Sequence, residues 1–215
     1  MTDSRSSTLR LPASDRRRQL IETALDFFSR KGFGGTTTKE IAAAAGVTEA
    51  IIFRHFPTKS DLYNAVLDQL FNSAHVAECV AAFKACMERN DDEGLVRVIV
   101  DTVIGGHRRD QRGHRVLLFA ALEGHETGLE YNRQLSFPIF ELLCQYVTRR
   151  QREGVLRGGN PGAIIAAIAG MATHYANMTQ MFGFCTNTSD RQMADSFVDI
   201  VMHGIQAEPQ TQGAQ

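Results

Sequence analysis

Strand signals are nearly missing from this sequence. Alternating β-branched residues are rare, and only five prolines interrupt 215 residues. Apolar residues recur instead at helical spacing, so an all-α fold is expected. No apolar run reaches 18 residues, which argues against a membrane span. The first residues, MTDSRSSTLRLPASDRRR, hold arginines but no apolar core, so they do not read as a secretion signal and a cytoplasmic location is expected. Four cysteines, at 79, 86, 144 and 185, show no CxxC spacing and support neither a zinc site nor a disulfide framework; buried thiols are the simpler reading. His125-Glu126 meets Leu129 where a metalloprotease helix needs a second histidine, and loops separate His107, His114 and His125, so no metal is expected. GxSxG, phosphate-loop and dinucleotide fingerprints are absent too, so no cofactor and no enzymatic activity are expected.

What is present is polarised. Net charge is −1, but residues 1–60 carry +4 and residues 61–215 carry −5. A basic head on an acidic body suits a polyanion at one end, and an unevenly charged solvated surface would look the same. Residues 1–14 read as a disordered arm and 208–215 as a frayed tail. Between them, helices are expected near 15–31, 37–45, 48–55, 58–73, 75–89, 92–105, 112–125, 128–153, 161–182 and 189–206. Gly32 should stop the first. Thr37 and Glu40 form a capping box for the second, Thr48 can cap the third, and Pro57 ends it. Breaks are expected at Gly105-Gly106 and at Gly158 to Pro161.

The stretch TTTKEIAAAAGVTEAIIFRHFPTKSD (36–61) joins two short helices through Ala45-Gly46-Val47. Ile41, Ala42, Ala45, Val47, Ile52 and Phe56 form an inward apolar set; threonines, Lys39, Arg54 and His55 are left outside. That is the pattern of a helix-turn-helix, whose second helix enters the major groove. Two packed helices joined by glycine also occur in ordinary α-proteins. Residues 19–62 go further and resemble the TetR (tetracycline-repressor-like) family of bacterial regulators. The matching residues are Leu20-Ile21, Ala24, Phe27-Phe28, Gly32-Phe33, Thr36-Thr37, Ile41-Ala42, Ala45 to Thr48, and Ile52 to Leu62.

The resemblance implies a DNA-binding head at 15–60 and a helical effector-binding and dimerisation domain at 61–207. Thr37, Thr38 and Lys39 match DNA-contacting positions at the start of the second helix. Thr48, Glu49, Ala50, Ile51, Phe53, Arg54 and His55 belong to the recognition helix, and Lys59 matches a phosphate-contacting lysine. Phe53 stands where the family usually has tyrosine. Glu49 stands where a basic or polar residue is usual; it either accepts from a cytosine amino group or lowers non-specific affinity, the second being favoured slightly. Arg54 takes a guanine or a phosphate. His55 bonds a phosphate or packs against Phe33.

In the body, Ala163, Ala167 and Gly170 form a small-residue face, and Met193, Phe197, Ile200, Val201 and Gly204 form an apolar one. These are either monomer core or, as the resemblance implies, a homodimer interface matching a palindromic operator on double-stranded DNA. His75, Cys79, Phe83, Phe119, Glu123, Tyr131, Met171, His174, Tyr175 and Met178 are candidates to contact a small apolar or amphipathic effector, and each is equally readable as core. The expected function is a ligand-responsive transcriptional repressor. An activator, an orphan regulator or a helical metal-binding protein or enzyme are the alternatives.

Overall fold

A computed structural model describes residues 12–184 and 187–205. Residues 1–11 of the expected arm, the expected tail and Cys185 lie outside the described residues. Ten α-helices follow in order: α1 (Ala13–Lys31), α2 (Thr38–Ala44), α3 (Glu49–His55), α4 (Lys59–Phe71), α5 (Ala74–Glu88), α6 (Asp92–Arg109), α7 (Arg112–Glu123), α8 (Glu126–Arg152), α9 (Pro161–Gln180) and α10 (Asp190–Ile205). No strand occurs among the described residues, so the all-α expectation holds. The last residues of the expected arm are helical, because α1 begins at Ala13. The break expected at Gly105-Gly106 does not occur. Each helical glycine costs about 1 kcal/mol relative to alanine, and buried Ile104 and the Arg108–Asp190 pair on either side hold α6 through them.

The chain forms two compact units. The first comprises residues up to 70 together with 112–129, so it is larger than the expected 15–60 head and includes α7. Its core is built from Leu20, Phe28, Ile41, Ile52, Leu62, Tyr63 and Val66, all nearly fully buried. Side chains of this size contribute about 1.5–3 kcal/mol each on burial. Phe28 and Tyr63 meet edge to face at 5.0 Å. On α7, Val116 and Ala120 are buried, Arg112 pairs with Glu22 and Asp26 of α1 at 2.7 and 2.6 Å, and Arg115 donates to the Ser29 carbonyl at 2.7 Å.

The second unit comprises 71–111 and the described residues from 130. Its core joins Phe83, Val100, Tyr146, Val147, Ile165, Ile168, Ala172, Tyr175 and Val198. One polar cluster ties α6 to α8. Arg150 grips Asp92 through Nε and its terminal nitrogen, with a closest contact of 2.7 Å, and the Tyr146 hydroxyl donates to Asp92 at 2.6 Å. Burial opposes ionisation of Asp92, but the Arg150 and Tyr146 hydrogen bonds outweigh it and hold the carboxyl below its ordinary range.

Candidate nucleic-acid interface

The first unit's exposed edge is built by local chemistry. Thr37 accepts from the Glu40 amide at 3.2 Å, and Glu40 accepts from the Thr37 amide at 3.0 Å, completing the capping box that opens α2. Lys31 also donates to Glu40; that bond and the Thr37 bonds bring the Glu40 carboxyl down to about 2. Gly46 turns the chain at φ +66°, a region open to glycine. Gln19 of α1 braces the turn by donating to the Ala45 carbonyl at 3.2 Å. Thr58 and Asp61 cap α4 reciprocally, at 2.9 and 3.1 Å. Thr48 precedes α3 with extended backbone, but its side chain makes no capping bond, contrary to expectation.

Burial divides the two-helix unit into faces. Ile41, Ala42, Ala45, Ile52 and Phe56 are buried; Thr37, Lys39, Thr48, Ala50, Phe53 and Arg54 are exposed. Phe53 is 44% exposed, a large apolar ring facing solvent beside Arg54. Thr38 and Glu49 are half-buried and joined by a 2.6 Å hydrogen bond from the threonine hydroxyl to the carboxylate. Ile51 and His55 are half-buried as well. They line a hollow of about 390 Å³ with Ala13, Arg16, Val47 and Arg54. His55 does not pack on Phe33: its ring lies nearest Phe56, with centroids 6.4 Å apart, and its Nε2 is buried without a hydrogen-bond partner.

Phe33 is held by other groups. Its ring meets Phe28, Tyr63 and His125 at 6.0, 5.1 and 4.4 Å. Glu123 of α7 accepts from the Phe33 amide at 3.0 Å and from the Gly34 amide at 3.2 Å. Lys59 donates to the Phe33 carbonyl, and its ammonium lies 4.2 Å from the ring centroid. Burial lowers the Lys59 pKa, and the Glu123 charge opposes that shift. Lys59 is therefore folded against the α1–α2 turn rather than extended into solvent.

The residues expected to contact an effector are divided between the two units. Phe119 and Glu123 belong to the first unit, where Glu123 binds backbone amides. Phe83 and Tyr175 are core residues of the second; Cys79 and Met171 pack against that core. His174 is exposed, Met178 half-buried, and Tyr131 stacks on Phe71 at 6.1 Å. His75 touches Cys79, with Nε2 3.6 Å from Sγ.

The candidate dimer face divides as well. Ala163, Ala167 and Gly170 are exposed, Ile200 is 59% exposed, and Gly204 is half-buried. All of these except Gly170 line a trough of about 470 Å³ on α9 and α10. Met193, Phe197 and Val201 instead serve their own core. Val201 is buried while also lining the trough, and Phe197 meets Tyr175 edge to face at 6.1 Å. A second hollow, of about 520 Å³, is bordered by several charged side chains and was not anticipated. Arg108 pairs there with Asp190 at 2.6 Å, and Asp190 accepts from Tyr175 at 2.8 Å. Partners 82 residues apart left no local signal in the sequence.

Residues 20–66 match the model of bacterial regulatory proteins of the tetR family. Over that stretch the chain carries the N-terminal segment of the TetR family. It is 30% identical over 109 residues to the HTH-type transcriptional activator FasR of Mycolicibacterium smegmatis, covering 50% of this chain and 48% of that one. It is 29% identical over 163 residues to the regulator TtgR of Pseudomonas putida, covering 74% and 75%. Against the regulator AcrR of Shigella flexneri, identity is 32% over 101 residues, covering 45% and 46%. The chain thus spans about half the length of two of these curated relatives. In fold, the chain is similar to a tetR-family regulatory protein from Rhodococcus, with TM-score 0.66, 16% identity and coverage of 90% and 98%. It is also similar to a ketosteroid transcriptional regulator of Mycobacterium tuberculosis, with TM-score 0.62, 16% identity and coverage of 90% and 96%. No helix among the described residues is long and apolar enough to cross a membrane.

Proposed function

We propose that the chain is a transcriptional regulator rather than an enzyme. In this reading it is a cytoplasmic homodimer that binds a palindromic operator through its first unit. The observation that carries the reading is the polar, exposed edge of α2 and α3, where Lys39, Thr48, Phe53 and Arg54 face outward while the residues between them fill the core. Thr37, Lys39 and Thr48 serve the backbone, Lys59 would do so only after leaving the Phe33 carbonyl, and Glu49, Ala50, Phe53 and Arg54 serve the base edges. His55, Ile51 and Arg16 frame a hollow suited to a phosphate oxygen. The exposed trough on α9 and α10 is the face offered to the second protomer.

A small apolar or amphipathic effector would bind the Met- and aromatic-rich body and favour a head spacing that misfits successive major grooves, with about 1–3 kcal/mol of coupling. Repression is the favoured sign. The name of the FasR relative supports activation as the second reading.

Footprinting on the DNA upstream of its own gene, at several salt concentrations, tests the proposal. Protection of a two-fold site that weakens steeply with salt is expected. Arg54→Ala should weaken that site by about tenfold or more. Equal, salt-insensitive binding of every duplex would overturn it. A reporter assay at the same site fixes the sign of regulation.

A further inference from the structure

Glu49 opens α3, the helix that would lie in the major groove. A carboxylate there faces a surface of phosphates, and it can only accept hydrogen bonds. Its position is fixed by the chain itself: Oε1 accepts from the Thr38 hydroxyl at 2.6 Å. That bond crosses from α2 to α3, and Glu49 is half-buried beside it. Oε2 has no partner among the described residues. The next residue, Ala50, is small and exposed, so the approach to Glu49 is open. The Thr38 hydroxyl proton is committed to Glu49, which makes Thr38 an orienting residue rather than a phosphate donor.

The geometry points to Glu49 as a specificity-determining residue that selects cytosine at one base pair of each half-site. This rests on the DNA-reading role proposed above. In the major groove guanine shows acceptors only, and thymine an acceptor and a methyl group. Adenine shows its amino group beside the N7 acceptor, which repels a carboxylate. Cytosine alone offers an amino donor with no acceptor next to it on the same base. At any other base the carboxylate sheds water, meets no donor and is repelled by the flanking phosphates, so the wrong base is penalised as well as the right one favoured. A rotamer fixed before binding makes the discrimination sharper than a free surface glutamate would give.

Selection from a pool of duplexes with a randomised core, by the full-length wild-type protein, Glu49→Gln, Glu49→Ala and Thr38→Val, tests this. Wild type should enrich cytosine at one position per half-site, by about tenfold over the next base. Glu49→Ala should erase that preference and leave the other positions unchanged. Glu49→Gln, which adds a donor, should shift the same position toward adenine. Thr38→Val should weaken the cytosine preference while retaining the rest of the motif. If Glu49→Ala keeps the wild-type base profile and only tightens binding to all duplexes alike, Glu49 is a repulsive charge and the inference falls. Wild-type enrichment of a two-fold motif in that experiment would leave the DNA-reading proposal standing. No enrichment by wild type would sink both.

Discussion

At Gly32 the backbone combines φ 71° with ψ −178°, a conformation held without strain by glycine alone. A Cβ added there would also stand 2.1 Å from Glu123 Oε1. Gly32→Ala should therefore cost about 2 kcal/mol of backbone strain and displace the carboxylate that binds the Phe33 and Gly34 amides. Urea unfolding should show the loss, and Glu123→Gln should reproduce only the part owed to the weakened amide bonds, about 1 kcal/mol. The sequence marked Gly32 as a helix stop, which it is. It gave no sign that the same residue is small because a carboxylate from α7 passes over it; such a partner is unreadable from a local pattern. Lys59 shows the same limit. Its place in the Pro-x-Lys motif was plain, but its bond to the Phe33 carbonyl depends on where a turn 26 residues earlier comes to rest.

Elements were legible where their signals are local. The Thr37–Glu40 capping box, the turn at Gly46 and the stop at Pro57 each depend on a few adjacent residues, and helix bounds followed within a residue or two except at the end of α6, which runs on to Arg109. Thr37→Ala should lower stability by about 1 kcal/mol, read as a fall in the thermal midpoint with the fold retained. Gly105-Gly106 misled because contacts from other helices, absent from any short window, overrode a modest propensity cost. The join between α6 and α8 is likewise tertiary. Asp92→Asn should destabilise by about 2 kcal/mol through its hydrogen bonds to a charged partner. The folded-state pKa of Asp92 lies below its ordinary value. Its contribution is thus complete above the unfolded-state carboxyl pKa of about 4 and fades as pH falls through the lower folded value. Thermal midpoints of wild type and Asp92→Asn should accordingly differ at pH 7 and converge in strong acid.

On the scale of the whole molecule, the α9–α10 trough is the feature that the dimer proposal uses most. Ile200→Glu places a charge on an exposed apolar position without touching the protomer core, so the fold should survive. Light scattering should show a monomer, and operator affinity should drop by about tenfold or more as the two heads become independent. An unchanged dimer would assign the interface elsewhere. The basic head and acidic body were readable from charge counts, whereas the division of the pocket candidates between two units was not, because choosing polar or soft groups on apolar helices does not say which core each helix serves. The membership of α7 in the first unit, proposed above to read DNA, carries a last consequence, for modularity. The recognisable motif ends near residue 66, yet the carboxylate that secures its first turn arrives from residue 123. A chimera spliced at the motif's edge would inherit the reading helix without its keeper. Transplanting this specificity into another regulator therefore requires moving two separate stretches of chain together.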